Sequence, residues 1–416
     1  MNVGLFSDTY YPQINGVVTS MRMLERELGK LGHKVFVFTT TDPNITSPHP
    51  RIFRLPSMPF YFLPTHRVAF LYPPKLIFRL KKLKLDIVHT QTEFPVGIFG
   101  KFVSELCKIP LVHTYHTMYE DYVHYIANGH LITKGVAKQF SRLFCNRARV
   151  VVVPAEKAKE SLLEYGVTRP IHVIPTGIDL EPFSRGKYSD EELAETRREL
   201  GLLPSWPVIV FVGRVAKEKS LDVIIKQMPG LIKRLPDVKL VIVGGGPCVD
   251  ELTALARESG VEASVIFAGP RPWECIGKYY QIGDVFSTAS TSETQGLTYV
   301  EAMAAKTPLV VRKDGSTEGM IIHGQTGYYF EKDGEAADRL YYALTHREEA
   351  RRVAENAYET IQSMSAAEFA RRIEALYTSV IENYTVNRRA GKNLFKNIVK
   401  VRLKPFRFPS SAGRRK

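Results

Sequence analysis

The sequence predicts an α/β chain built as two doubly wound, Rossmann-like domains facing across a cleft, with a helical segment at the C-terminal end. Three observations predict it. Short apolar runs rich in Val, Ile and Phe alternate with helical patterns in two cycles, one before residue 186 and one after residue 205. The stretch 186–205 is charged and then marked by Gly and Pro, as an interdomain connection would be. The length, 416 residues, accommodates two full cores at about 150 residues per domain. The domains are therefore set at 1–190 and 200–375, with 376–416 as a C-terminal helix and tail.

Each element has its own signal. Residues 2–6 form the first apolar run, followed by Asp8 and a loop holding Pro12, Asn15 and Gly16. A helical pattern covers 17–31 and Gly32 closes it. Strands are predicted at 35–38, 86–90, 111–114, 150–153 and 171–174. Helices are predicted at 96–107, at 135–148 and in the stretch ending at Tyr165. In the second cycle, strands at 208–212, 239–243, 265–268, 284–287 and 308–311 alternate with helices at 221–235, 250–259, 275–282 and 297–305. From 336 to 384 the pattern is helical throughout.

Hydrophobic residues make up 44% and charged residues 24% of the chain, which fits a folded globular protein and excludes a disordered or fibrous one. No apolar stretch approaches the ~18–20 residues of a spanning helix. The opening residues have no basic lead and meet Asp8 early, so no signal peptide is expected. Cys107, Cys145, Cys248 and Cys275 are far apart and form no metal-ligand spacing; free thiols in a reducing cytoplasm are expected.

The net charge of +14 is concentrated. Residues 67–84 carry six basic side chains (Arg67, Lys75, Arg79, Lys81, Lys82, Lys84) and residues 392–416 carry nine, with no acid in either segment. Leu76, Ile77, Leu80 and Leu83 share one helical face, with Lys75, Arg79 and Lys82 largely on the other, and Phe60, Tyr61, Phe62, Phe70 and Tyr72 precede them. A basic amphipathic helix with aromatics describes a segment lying on an anionic membrane. It equally describes a core helix with a solvated basic face. No nucleic-acid motif accompanies the charge, so nucleic acid is not expected as a partner.

Three loops after second-domain strands carry chemistry. Gly213-Arg214 and Lys219 place a guanidinium and an ammonium at a strand end, where they would meet a diphosphate or stand as solvated cations. Gly244-Gly245-Gly246-Pro247 forms a tight strand-to-helix turn but lacks the G-x-G-x-x-G dinucleotide fingerprint, which argues against a dehydrogenase. Glu293-Thr294-Gln295-Gly296-Leu297-Thr298 runs from a strand end into a helix. Its amides at Gln295, Gly296, Leu297 and Thr298 would sit where the helix dipole favours phosphate. Glu293 and Glu301, eight apart, would face one polyol from two sides. A glycoside hydrolase using both would need them about 5–9.5 Å apart astride the bond and leaves the phosphate-binding features unexplained.

These motifs, with Gly32-His33-Lys34-Val35 and Ile174-Pro175-Thr176-Gly177-Ile178-Asp179, resemble over nearly the whole chain the retaining glycosyltransferases of family 4, which have the GT-B fold. Within it, residues 6–13, 116–122 and 293–298 are similar to members that glucosylate diacylglycerol. One departure is Asn15-Gly16, where many members carry two glycines.

The resemblance implies roles position by position. Arg214 and Lys219 hold the donor diphosphate, Glu301 the ribose, and Glu293 the transferred hexose. The amides of Gly296, Leu297 and Thr298, with Gln295, Gly244 and Gly16, complete the donor site. His116 faces sugar and acceptor, beside Tyr119 and Asp121, and is alternatively a packed, hydrogen-bonded side chain; Asp121 is read either as a general base or as a loop-orienting residue. Lys75, Arg79, Lys81, Lys82 and Lys84 bind the membrane. The implied reaction moves glucose from UDP-glucose to the 3-hydroxyl of 1,2-diacylglycerol at the cytoplasmic face of the membrane. No metal is required structurally, and Mg2+ and anionic lipid are candidate activators. Two alternatives remain: another lipid acceptor (glucosyldiacylglycerol or phosphatidylinositol), or a non-catalytic nucleotide-sugar-binding module at the membrane.

Overall fold

Two parallel sheets organise the chain. The computed structural model describes residues 1–13, 15–45, 49–60, 63–70, 72, 74–119, 133–290, 293, 295–315 and 319–390. The chain divides into two compact units: Met1–Gly177 with the helix Ala366–Ala390, and Ile178–Ser365.

Unit 1 contains strands β1 (Asn2–Phe6), β2 (Lys34–Thr40), β3 (Ile52–Leu55), β4 (Ser57–Phe60), β5 (Leu63–Ala69), β6 (Ile87–Thr90), β7 (Leu111–Thr114), β8 (Val150–Val153) and β9 (Ile171–Val173). Its helices are α1 (Gly16–Lys30), α2 (Pro74–Leu83), α3 (Pro95–Cys107), α4 (Lys134–Cys145) and α5 (Glu156–Glu164). Seven strands form one sheet in the order β3-β2-β1-β6-β7-β8-β9, and every pairing in it is parallel. Strands such as Val150–Val153 are apolar and fully buried because helices cover both faces. On one face α3 packs Val96, Phe99 and Val103 onto the sheet, with Leu80 of α2 and Cys145 at the end of α4.

Unit 2 contains α6 (Asp190–Glu199), β10 (Val208–Val212), α7 (Leu221–Ile232), β11 (Lys239–Val243), α8 (Val249–Glu258), β12 (Val265–Gly269), α9 (Ile276–Gln281), β13 (Val285–Thr288), α10 (Leu297–Ala304), β14 (Leu309–Arg312), β15 (Tyr328–Phe330), α11 (Ala336–Thr345) and α12 (Arg347–Ile361). Its sheet order is β12-β11-β10-β13-β14-β15, again parallel throughout. The terminal helix is α13 (Ala366–Ala390).

The chain divides elsewhere than the sequence suggests. Residues 178–190 sit in unit 2, where Phe183 packs on Trp273 and Tyr280, and Gln281 donates to the carbonyls of Phe183 and Ser184 at 3.0 Å. The helical end is not one run from 336 to 384, nor does a separate segment start at 376: α11, α12 and α13 are distinct, and α13 returns to unit 1. Phe369, Ala370, Ile373, Leu376, Tyr377 and Val380, spaced as one helical face, pack with Val3, Leu5, Met21 and Leu24. His33 Nε2 meets Glu374 Oε1 at 2.7 Å on the same side.

Several elements carried no sequence expectation. Part of the 186–205 connection is helix α6, opened by a capping box in which Ser189 and Glu192 satisfy each other's backbone amides. The chain before α2 holds strand β3 and the antiparallel pair β4 and β5, with Phe60 at the end of β4; Tyr61 and Phe62 lie outside the described residues. The leucine face of α2 also needs correcting. Leu80 is buried, and Leu76 and Leu83 pack against the unit 1 core, so these leucines are not available to a bilayer. What α2 presents outward is Phe78, 73% exposed, with Arg79, Lys81 and Lys82.

Candidate active site

In unit 2 the polar residues gather beyond the carboxyl ends of β10 and β13, where α/β sheets bind ligands. After β10 the chain passes through Gly213 (φ +150°) and the exposed Arg214 to a single 3-10 turn, Lys217–Lys219, before α7 begins. Two hydroxyls tie this loop to the one after β13: Thr288 donates to the Lys219 carbonyl at 3.2 Å and Ser290 to the Glu218 carbonyl at 3.0 Å. That seam brings Lys219 Nζ to 2.5 Å from Glu293 Oε1, an ion pair with both side chains largely buried.

The chain then turns through Gly296 in the left-handed region (φ +73°) into α10. A Cβ at Gly296 would stand 2.6 Å from the Tyr299 ring, so the turn requires glycine twice over. The first-turn amides of Leu297 and Thr298 point out of the helix N-terminus, and the buried Gln295 precedes them. One turn further along α10, Glu301 accepts a hydrogen bond from the buried Tyr280 hydroxyl at 2.6 Å. Burial pushes the Glu301 carboxyl up to about 7, and the Tyr280 bond partly offsets this. Glu293 and Glu301 both push the Tyr280 phenol upward, after burial itself, so both carboxylates act on one ring. Each has a different partner, a cation for Glu293 and a phenol for Glu301.

The Gly244–Gly246 turn has an internal reason. Gly244 lies at φ +143°, and a Cβ there would meet the Gly213 carbonyl at 1.8 Å; one on Gly246 would meet the Val215 carbonyl at 2.1 Å. The glycines let the loops after β10 and β11 lie against each other, joined by the Val215 amide donating to the Gly245 carbonyl at 2.9 Å.

Unit 1 has its own polar cluster, at the carboxyl ends of β1, β6 and β7. Asp8 accepts from the Thr92 hydroxyl at 2.6 Å and from the Val96 amide of α3 at 3.0 Å, and burial raises its carboxyl to about 6. Glu93, fully buried, lies 3.0 Å from His113 Nε2 and accepts from the Tyr119 hydroxyl. His116 Nε2 lies 2.7 Å from Gln91 Oε1, and burial lowers the imidazole to about 3. Gly16 opens α1 and is exposed. Asn15 is the helix cap: its Oδ1 accepts from the Val18 amide at 3.0 Å and its Nδ2 donates to Thr9 at 2.8 Å.

Within unit 2, Lys219, Glu293, Gln295, Gly296, Leu297, Thr298 and Glu301 therefore share one neighbourhood, with Arg214 on the β10 loop. Within unit 1, His116 and Tyr119 share another. Asp121, the Lys75 side chain and the basic segment 392–416 lie outside the described residues. Sequence reasoning missed Tyr280, Gln91 and Glu93 as site residues. For the last two a signal existed: Thr90-Gln91-Thr92-Glu93 is a polar run directly after an apolar strand. Among the described residues no group of three His, Cys, Asp or Glu could hold a metal ion, and no helix is long and apolar enough to cross a membrane.

Two Rossmann-like units, each built on an all-parallel sheet and one with a lysine–carboxylate pair beside a glycine-capped helix N-terminus, define a glycosyltransferase of the GT-B class. Comparison with known proteins bears this out. The chain belongs to glycosyltransferase family 4: the model for "Glycosyltransferase Family 4" matches residues 14–182 and that for "Glycosyl transferases group 1" matches residues 194–360. It is 38% identical over 384 residues to the alpha-monoglucosyldiacylglycerol synthase of Streptococcus pneumoniae, covering 92% of this chain and 86% of that one. It is 32% identical over 392 residues to the protein of the same name in Acholeplasma laidlawii, covering 92% and 98%. HepE of Anabaena, solved in complex with UDP and glucose, shares the fold at TM-score 0.75 and 18% identity, covering 91% of this chain and all of that one.

Proposed function

We propose that this enzyme transfers glucose from UDP-glucose to the 3-hydroxyl of 1,2-diacylglycerol, retaining the α configuration, as a peripheral protein on an anionic membrane surface. The observation that carries the reading is the Lys219–Glu293 ion pair beside the Gly296-capped helix. A cation for the leaving diphosphate, a carboxylate for sugar hydroxyls and helix amides converge there. The shared name of the two relatives, which prints an α-glucosylated diacylglycerol as product, supports the acceptor and the transferred sugar.

In this mechanism the bond between glucose C1 and the β-phosphate oxygen breaks, and its electron pair leaves with UDP. Arg214, Lys219 and the α10 amides stabilise that developing charge, which is electrostatic catalysis. The acceptor oxygen bonds to C1 on the same face, and its proton passes to the departing phosphate. Glu293 orients the hexose, Glu301 accepts from the ribose hydroxyls, and His116 and Tyr119 line the acceptor side. The transition state is oxocarbenium-like, so Glu293 also opposes positive charge developing on the ring.

Membrane attachment is supported by the outer surface of unit 1. Besides Phe78 on α2, the exposed Phe94 at the cap of α3, Ile98 and Phe102 on α3 and Val136, Phe140 and Leu143 on α4 form apolar stripes, linked where the rings of Phe94 and Phe140 lie 6.1 Å apart. Arg79, Lys81, Lys82 and Lys84 stand exposed on the same side of the sheet. Exposed apolar area bordered by cations suits anionic lipid.

The test uses purified protein, labelled UDP-glucose and diacylglycerol in micelles containing anionic lipid. Label entering the lipid fraction, and lost with Glu293→Ala at unchanged folding, is the expected result. A fully active Glu293→Ala protein would remove the site assignment.

A further inference from the structure

Gln91 follows β6 directly and is only 2% exposed. Its backbone amide donates to the Phe6 carbonyl at 2.8 Å, which pins it to β1. Its side-chain Oε1 lies 2.7 Å from His116 Nε2. The residue before His116, Tyr115, is pinned in turn, its amide donating to the Val152 carbonyl at 2.9 Å. Gln91 and His116 are thus held face to face by neighbouring strands, and the mechanism above gives Gln91 no part.

A neutral imidazole has one N–H and one lone pair, and the hydrogen bond on one ring nitrogen decides which the other presents. Burial, with His113 adding to it, keeps His116 neutral at physiological pH. With Nε2–H donating to Gln91 Oε1, Nδ1 presents a lone pair. Among the described residues Nδ1 has no hydrogen-bond partner and His116 is not fully buried. The opposite tautomer needs the Gln91 amide turned over, with its NH2 donating to the ring. Amide orientation and tautomer are therefore coupled.

We infer that Gln91 is a positioning residue that holds His116 in the Nε2–H tautomer, so that Nδ1 accepts a hydrogen bond from an alcohol hydroxyl of a substrate. The inference rests on His116 facing a substrate, as proposed above. The hydroxyl belongs either to the donor sugar or to the lipid acceptor.

Three variants and two readouts test this. Gln91→Leu removes the partner and should lower kcat/KM roughly tenfold to a hundredfold, on the scale of the loss when the orienting partner of a metal-bound histidine is removed, with an unchanged melting temperature. Combined with His116→Ala it should add little further loss, because the two act as one unit. Gln91→Glu can only accept at ordinary pH, so it keeps the tautomer. It should retain activity at alkaline pH and show an acid limb moved upward, since a carboxylate favours the imidazolium. His113 and His89, the titratable neighbours of His116, and Glu93 on His113 are unchanged in all variants. If transfer falls while hydrolysis of UDP-glucose without acceptor stays constant, the hydroxyl is the acceptor's; if both fall, it is the sugar's.

The second readout needs no substrate. In protein labelled with 15N-histidine and held at alkaline pH, the His116 ring should show a protonated Nε2 and a bare Nδ1 in the wild type and in Gln91→Glu, and a tautomer mixture in Gln91→Leu. A wild-type ring protonated at Nδ1, a Gln91→Leu protein of wild-type activity, or additive losses in the double variant would overturn the inference. Failure of the wild type to glucosylate diacylglycerol would overturn the proposed function and leave the spectrum as the test of the tautomer.

Discussion

Lys219 donates to Glu293 at 2.5 Å across 74 residues of sequence, joining the loops that follow two adjacent strands of the unit 2 sheet. The pair matters because each partner keeps the other's charge compensated in a largely buried place, while both can face a charged ligand. Removing either one leaves the other uncompensated.

Lys219→Ala should lower kcat by about a hundredfold to a thousandfold, the range seen when one preorganised charge stabiliser is removed. It should also weaken UDP binding measured by calorimetry. Glu293→Gln keeps the shape and should reduce transfer strongly while UDP affinity changes little, because the proposed role of Glu293 is toward the sugar. Equal loss of UDP affinity in both variants would contradict that division.

Nucleotide affinity should depend on pH near neutrality through Glu301. Its carboxyl stands at about 7, above the ordinary carboxylate value, so protonation favours the free folded protein. The stability it contributes is full below the ordinary carboxylate range and is lost as pH rises through about 7. In the proposed donor site the ribose hydroxyls donate to the deprotonated Glu301, so UDP affinity should rise with pH over the same window. Tyr280→Phe removes a bond that lowers this carboxyl, so the midpoint should move upward, and Glu301→Gln should flatten the profile. Calorimetric titrations across the window check all three.

Gly244→Ala should cost unit 2 about 3 kcal/mol or more, as strained and overpacked backbone sites do. A methyl group there would stand 1.8 Å from the Gly213 carbonyl at a φ of +143°. Gly245→Ala, whose nearest neighbour is Pro270 at 3.7 Å, should be far milder. Urea unfolding of the two variants compares them directly.

Vesicle binding should have two separable parts. Reversing Lys81 and Lys82 should weaken sedimentation with anionic vesicles, by about 1 kcal/mol or roughly fivefold for each cation lost, and the effect should shrink in high salt. Phe78→Ser with Phe102→Ser should weaken a component that persists in high salt. Full retention by both variants would remove this surface as the anchor.

Much of this was legible in the sequence. The central parallel strands are covered on both faces, so apolar runs such as 150–153 and 208–212 stand out. Glu293 and Lys219 are legible as strand-end residues, but their ion pair depends on sheet order, which no local spacing encodes. Leu76, Leu80 and Leu83 show why an amphipathic face is ambiguous: periodicity says that a face is apolar, and packing decides whether core or lipid covers it. The β4–β5 pairing hid behind the neighbouring aromatics, and α6 hid behind its charge although its capping box is written in Ser189 and Glu192. Gln91 and Tyr280 matter only through contacts with residues distant in the chain, His116 and Glu301.

The most direct measurement is the proton spectrum of the glycolipid formed from UDP-glucose and diacylglycerol. A single product with an α anomeric proton and glucose on the 3-hydroxyl is the predicted result. A β-linked product, or UDP binding with no lipid product from diacylglycerol, would contradict the account.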